Sequence, residues 1–169
     1  QPHRHRGHRL PLRLFRGQAL GARGLRAGEA GQLQGLAGIR VLAVDDNADA
    51  RDVLAASLPA TGAEVRLAAT GADALREWDR EPADLLICDL AMPEMDGFAV
   101  LRAIRERGRP DGQPTPAIAL SAHVSEDHQA RTRAAGFDAH IAKPYDVAEL
   151  VQLVRQALAR ASPRIRKEP

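Results

Sequence analysis

The sequence predicts an α/β fold in which a parallel five-stranded sheet is covered by helices on both faces. Three observations carry this. Short apolar runs, several of them β-branched, alternate with segments of helical period between residues 39 and 158. Pro, Gly and capping residues mark the joints between them. Four of the five runs end in polar residues of the kind an open parallel sheet collects along its C-terminal edge.

The first run, Ile39 to Val44, ends in Asp45-Asp46-Asn47 and reads as a strand buried on both faces. A helix from Ala48 to Leu58 follows, with Val53, Leu54 and Leu58 expected on its inner face and Pro59 and Gly62 closing it. Ala63 to Ala69 is less apolar and is expected at the sheet edge. Thr70 and Asp73 have the spacing of a capping box, opening a helix through Trp78, which is read as core or core-rim packing. The third strand, Leu85 to Cys88, delivers Asp89 to its end, and a loop with Pro93 and Gly97 follows at once.

The third helix is expected from Gly97 to Arg107, with Phe98, Leu101 and Ile104 inward, before a surface loop over Gly108 to Pro114. Strand four, Pro116 to Leu120, brings Ser121-Ala122-His123 to its end. Ser125 is the expected N-cap of a polar helix from Glu126 to Ala135, stopped by Gly136. Strand five, Ala139 to Ala142, ends in Lys143-Pro144-Tyr145. Asp146 and Glu149 have capping-box spacing, and Leu150, Val154 and Leu158 form the apolar face of the last helix.

Charge divides the chain. Of 24 basic and 22 acidic residues, residues 1 to 40 hold eight arginines and one acid, Glu29, so the remainder is net acidic. The expected organisation is a basic low-complexity arm over residues 1–37, a folded domain over 38–160 and a polar tail over 161–169. The arm reads as a disordered or severed linker. Two other readings are a nucleic-acid-binding arm and a metal site built on His3, His5 and His8, which no Cys or carboxylate completes. One cysteine, Cys88, excludes an intramolecular disulfide framework and fits a reducing, cytoplasmic setting. No apolar run approaches the roughly 20 residues of a membrane span.

The strand ends carry the chemistry. In a parallel sheet Asp45, Asp46, Asp89, Ser121 and Lys143 converge on one edge, although about 100 positions separate the first from the last. Carboxylates this close repel one another unless a cation relieves them, and an all-oxygen set suits a hard divalent ion, Mg²⁺ by preference. A carboxylate flanked by such an ion, an ammonium and a hydroxyl is arranged to attack phosphorus and to hold the oxygens that result. Asp89 is then the nucleophile, Lys143 neutralises charge and Ser121 donates a hydrogen bond.

Val44-Asp45-Asp46-Asn47, Ile87-Cys88-Asp89 with Met92-Pro93 and Met95-Asp96-Gly97, Leu120-Ser121-Ala122 and Ala142-Lys143-Pro144-Tyr145 together resemble the receiver domain of two-component response regulators. The resemblance spans Ile39 to Leu158 with the motifs in the right order. It implies a flavodoxin-like, doubly wound sheet of order 2-1-3-4-5 that accepts phosphate from a kinase phosphohistidine onto Asp89. It further implies direct Mg²⁺ ligation by Asp46, Asp89 and the Ala91 carbonyl, with Asp45 acting largely through water, and a cis bond between Lys143 and Pro144. Ser121 and the residue three before the lysine, here His140 in place of the usual aromatic, are implied as switch residues. They would remodel the face made by the fourth helix, fifth strand and fifth helix for a downstream partner. Ala91 and His123 occupy positions that influence dephosphorylation in this family; His123 and His128 otherwise read as surface residues.

The expected partners are a sensor histidine kinase or phosphotransfer protein and a downstream protein, with nucleic acid unlikely. Leu36 to Leu42 resembles the joint leading into the receiver of a hybrid sensor kinase, and the chain starts at Gln1 rather than Met, so a hybrid-kinase fragment is preferred over a single-domain regulator. The chain is expected to be a phospho-acceptor and not an enzyme acting on external substrates. Two alternatives remain: an aspartate-nucleophile phosphatase, which would want an acid where Ala91 stands, and a receiver-like binding module that is never phosphorylated.

Overall fold

The structure, a computed structural model, describes residues 35–123 and 125–161. Five parallel strands form one sheet: β1 (Arg40–Val44), β2 (Glu64–Ala68), β3 (Leu85–Asp89), β4 (Ala117–Ser121) and β5 (Ala139–Ala142), in the order β2-β1-β3-β4-β5. Five α-helices alternate with them: α1 (Ala48–Ser57), α2 (Gly71–Arg80), α3 (Gly97–Arg107), α4 (Glu126–Ala134) and α5 (Val147–Ala161). The expected fold class and strand order are thus observed.

Strand composition explains the order. Every residue of β3 and β4 is buried, as two-sided cover requires, whereas β2 is half-exposed and lies at an edge as its polarity predicts. Alternate residues feed two cores. On one face Leu42, Val44, Leu86 and Cys88 meet Trp78 of α2 and Val100, Leu101 and Ile104 of α3. On the other, Val41, Ala43, Leu85 and Ile87 meet Leu54 and Leu58 together with Leu150, Val151 and Val154 of α5. Burying Trp78 and the aliphatic side chains stabilises each face by roughly 1.5–3 kcal/mol per large residue.

The helix starts are fixed by side chains. Asn47, Thr70, Asp96 and Ser125 accept the backbone N–H groups of Ala50, Asp73, Ala99 and His128, and Asp146 Oδ1 accepts Ala148 N at 2.6 Å. Asp73 also takes the Thr70 hydroxyl at 2.8 Å. Helix α4 stands apart: it buries only Thr132, so little apolar contact ties it to the sheet.

One expectation about packing needs correction. Val53 is 45% exposed, because Leu54 and Leu58 already form the i, i+4 ridge that faces the sheet and the residue before Leu54 points about 100° away. Phe98, half-buried, packs against the same core as Leu101 and Ile104, as expected, set edge-on to Phe137 at 6.0 Å with Arg131 over its face. Packing also reaches back to Leu36, which is buried and whose N–H donates to Thr61 O at 3.1 Å. Residues 1–34, with His3, His5 and His8, and residues 162–169 lie outside the described residues, and with them nearly all of the expected arm and tail.

Candidate phosphoryl-acceptor site

The C-terminal edge of the sheet places three acids together. Asp45 follows β1, Asp46 follows it, and Asp89 ends β3; one carboxylate oxygen from each lies within 4.8 Å of the others. Asp45 and Asp89 are buried and Asp46 is exposed, so solvent reaches the cluster at Asp46. Asp45 Oδ1 accepts the Asn47 N–H at 3.0 Å, which turns the chain into α1, and Arg51 donates to the Asp45 carbonyl at 2.8 Å.

Lys143 follows β5 and reaches across the edge. Its Nζ donates to Asp45 Oδ2 at 2.6 Å and lies 3.3 Å from Asp89 Oδ2. The peptide between Lys143 and Pro144 is cis, as the resemblance implies. Burial pulls the ammonium's pKa down, but its bonds and charge interactions with Asp45 and Asp89 outweigh that and raise it. Lys143 is held as the cation. Burial also raises the Asp89 carboxyl, with the nearby Asp45 charge adding to it, and the Ala91 N–H and Lys143 only partly offset them. One ammonium does not compensate three carboxylates.

Donor chemistry and geometry therefore fit a hard divalent cation held by oxygen atoms. No other group of three or more metal-binding side chains occurs among the described residues.

The loop after β3 is built to present Asp89. Asp89 Oδ1 accepts the Ala91 N–H at 3.2 Å, and Ala91 itself is exposed. Glu94 takes a left-handed backbone (φ 65°), and Asp96 then caps α3. Gly97 has no substitute here: a Cβ at that position would lie 2.4 Å from the Asp89 carbonyl oxygen.

Ser121, buried at the end of β4, does not bond to the acids. Its Oγ donates to the His123 carbonyl at 2.9 Å, accepts the His123 N–H at 3.1 Å and lies 3.2 Å from His128 Nε2. The sequence reading placed His128 among surface residues; it is half-buried and contacts the site through Ser121. His123 is exposed. His140, on β5, packs beside the His128 ring with centroids 5.7 Å apart, and its buried Nε2 has no hydrogen-bond partner. Burial and the neighbouring His128 lower its pKa. Cys88, next to Asp89 in β3, is fully buried, which raises its thiol pKa.

A doubly wound sheet with lysine-bridged acids at its C-terminal edge is the arrangement that the resemblance to receiver domains implies. The chain belongs to the response regulator receiver domain family, whose family model matches residues 41–155. It is 42% identical over 124 residues to a 14.6 kDa protein of the sodA1 3′ region of Leptolyngbya boryana, covering 73% of this chain and 93% of that protein. It is 35% identical over 125 residues to the response regulator MprA of Mycobacterium leprae (strain TN), covering 74% of this chain but only 53% of that protein. The chain thus spans about half of that relative. Among solved structures, the receiver domain of the histidine kinase CKI1 from Arabidopsis thaliana, complexed with Mg²⁺ and BeF₃⁻, matches with a TM-score of 0.65 and 33% identity, covering 76% of this chain and 95% of that one.

Among the described residues no helix is long and apolar enough to cross a membrane.

Proposed function

We propose that this domain accepts a phosphoryl group from a partner's phosphohistidine onto Asp89 and signals by the resulting change at the α4-β5-α5 face. The observation that carries the reading is the buried Asp89 carboxylate beside both a second buried acid and a fixed ammonium. An Asp89 carboxylate oxygen forms the bond to phosphorus while the phosphorus–nitrogen bond to a donor imidazole protonated on its other nitrogen breaks, leaving an acyl phosphate on the domain and a neutral histidine on the donor.

Asp46, Asp89 and the Ala91 carbonyl would hold Mg²⁺, with Asp45 orienting its water. The ion would neutralise charge on the phosphoryl oxygens. Lys143, already shared between Asp45 and Asp89, takes a phosphoryl oxygen when Asp89 becomes esterified and its negative charge moves outward. Ser121 donates its hydroxyl to another phosphoryl oxygen, and His140 follows into the space behind it. Helix α4, with little apolar contact to the sheet, is the element that this small displacement can move.

The same reading makes the chain a phospho-acceptor with slow self-dephosphorylation, working in the cytoplasm with a histidine kinase or phosphotransfer protein upstream. We read it as the receiver of a hybrid kinase. The Leu36 to Leu42 segment and the likeness to the CKI1 receiver support that assignment. The likeness to a 14.6 kDa protein covered over 93% of its length supports a single-domain regulator instead.

Incubation with Mg²⁺ and acetyl phosphate, or with a phosphorylated kinase, should add one base-labile group of about 80 Da per chain. An Asp89→Asn variant should gain none. Equal labelling of the two proteins would refute the reading.

A further inference from the structure

Ser121 is fully engaged in the position it occupies. A hydroxyl offers one proton and two lone pairs. The proton goes to the His123 carbonyl and one lone pair takes the His123 N–H, both within the loop that follows β4. The remaining lone pair faces His128 Nε2 at 3.2 Å, so the ring that satisfies this count carries its hydrogen on Nε2. None of the three goes to an acid of the cluster.

His128 is well placed to hold them there. Its backbone N–H donates to Ser125 Oγ at 3.1 Å and its carbonyl accepts Thr132 Oγ1 at 2.8 Å, which fixes the residue in the first turns of α4. From β5, His140 lies against the same ring, but its Nε2 makes no hydrogen bond. Ser121 is therefore the side chain hydrogen-bonded to the His128 ring, and this bond joins β4 to the weakly packed α4.

We propose that His128 is a positioning residue, a latch whose Nε2–H holds the Ser121 hydroxyl in the resting position. Turning Ser121 toward a phosphoryl group on Asp89 must break this bond, and breaking it releases the start of α4. This rests on the receiver reading above and adds a residue that couples the phosphoryl site to the α4 face. Removing the latch raises the fraction of molecules competent to bind a phosphoryl group, so apparent affinity rises.

The test is the Mg²⁺-dependent affinity for BeF₃⁻, a phosphoryl mimic, in the wild type and in His128→Leu and His128→Gln variants, each with Ser121 intact and with Ser121→Ala. His128→Leu should bind about three- to tenfold more tightly, the worth of one hydrogen bond. His128→Gln, whose amide can reach the same hydroxyl, should stay within about twofold of wild type. In the Ser121→Ala background the Leu substitution should have no effect, because the latch acts only through Ser121. If Leu disturbs folding, His128→Asn, too short to reach Ser121, supplies the same contrast with Gln. Equal affinities of wild type and His128→Leu, or the same gain without the Ser121 hydroxyl, would overturn the proposal. Failure of the wild type itself to bind BeF₃⁻ would instead sink the receiver reading, and the latch with it.

Discussion

Lys143 stands closer to Asp45 than to Asp89, 2.6 Å against 3.3 Å, so before any phosphoryl group arrives its charge is spent chiefly on the fully buried acid. Breaking this pair strands Asp45. Lys143→Met should destabilise the fold by about 2 kcal/mol, below the usual range for a fully buried pair because the lysine is partly exposed. Urea unfolding of the two proteins checks it, with the larger loss expected in divalent-free buffer.

Asp89 should carry the opposite signature. Its ionised form is disfavoured by burial and by Asp45. Asp89→Asn should therefore stabilise the folded protein by about 1 kcal/mol in divalent-free buffer while ending phosphate acceptance. Added Mg²⁺ should raise the melting temperature of the wild type more than that of the variant, since binding to the native state adds to stability. An equal rise in both would argue against Asp89 as a ligand.

His140 gives a pH effect with a definite sign. Its folded-state pKa lies below the ordinary 6.5, so the unfolded chain takes up a proton first and stability is lost as pH falls below 6.5. His140→Phe should remove that contribution and the unpartnered Nε2 together. The variant should be about 1 kcal/mol more stable, and its melting temperature should fall less steeply with acidification than that of the wild type.

Gly97→Ala tests the loop that presents Asp89. The added methyl would stand 2.4 Å from the Asp89 carbonyl oxygen, a contact with backbone that side-chain rotation cannot relieve. A loss of about 2 kcal/mol or more is expected on urea unfolding, with slower phosphorylation by acetyl phosphate.

The fold and the acidic cluster were legible because both depend on order along the chain. Buried strands announce themselves as apolar runs, and a parallel sheet sends every strand end to one edge, so Asp45, Asp46, Asp89 and Lys143 could be brought together without coordinates. Helical period, applied strictly, also excludes Val53 from the face that Leu54 and Leu58 share, since Val53 and Leu58 lie five residues apart. His128 was not legible. It lies seven residues past Ser121 on a helix without an apolar stripe, so no periodic pattern pairs its ring with the hydroxyl. Leu36 was missed for a related reason: a single leucine in a glycine-rich stretch has no period, and its burial depends on a backbone bond to Thr61.

Of the three clustered acids, Asp89 is the one expected to receive the phosphoryl group. Borohydride reduction of the phosphorylated protein converts an acyl-phosphate aspartate to homoserine, which peptide mass spectrometry then locates. Homoserine is expected at position 89, with unmodified aspartate at 45 and 46. Homoserine at 45 or 46 with Asp89 intact would contradict it.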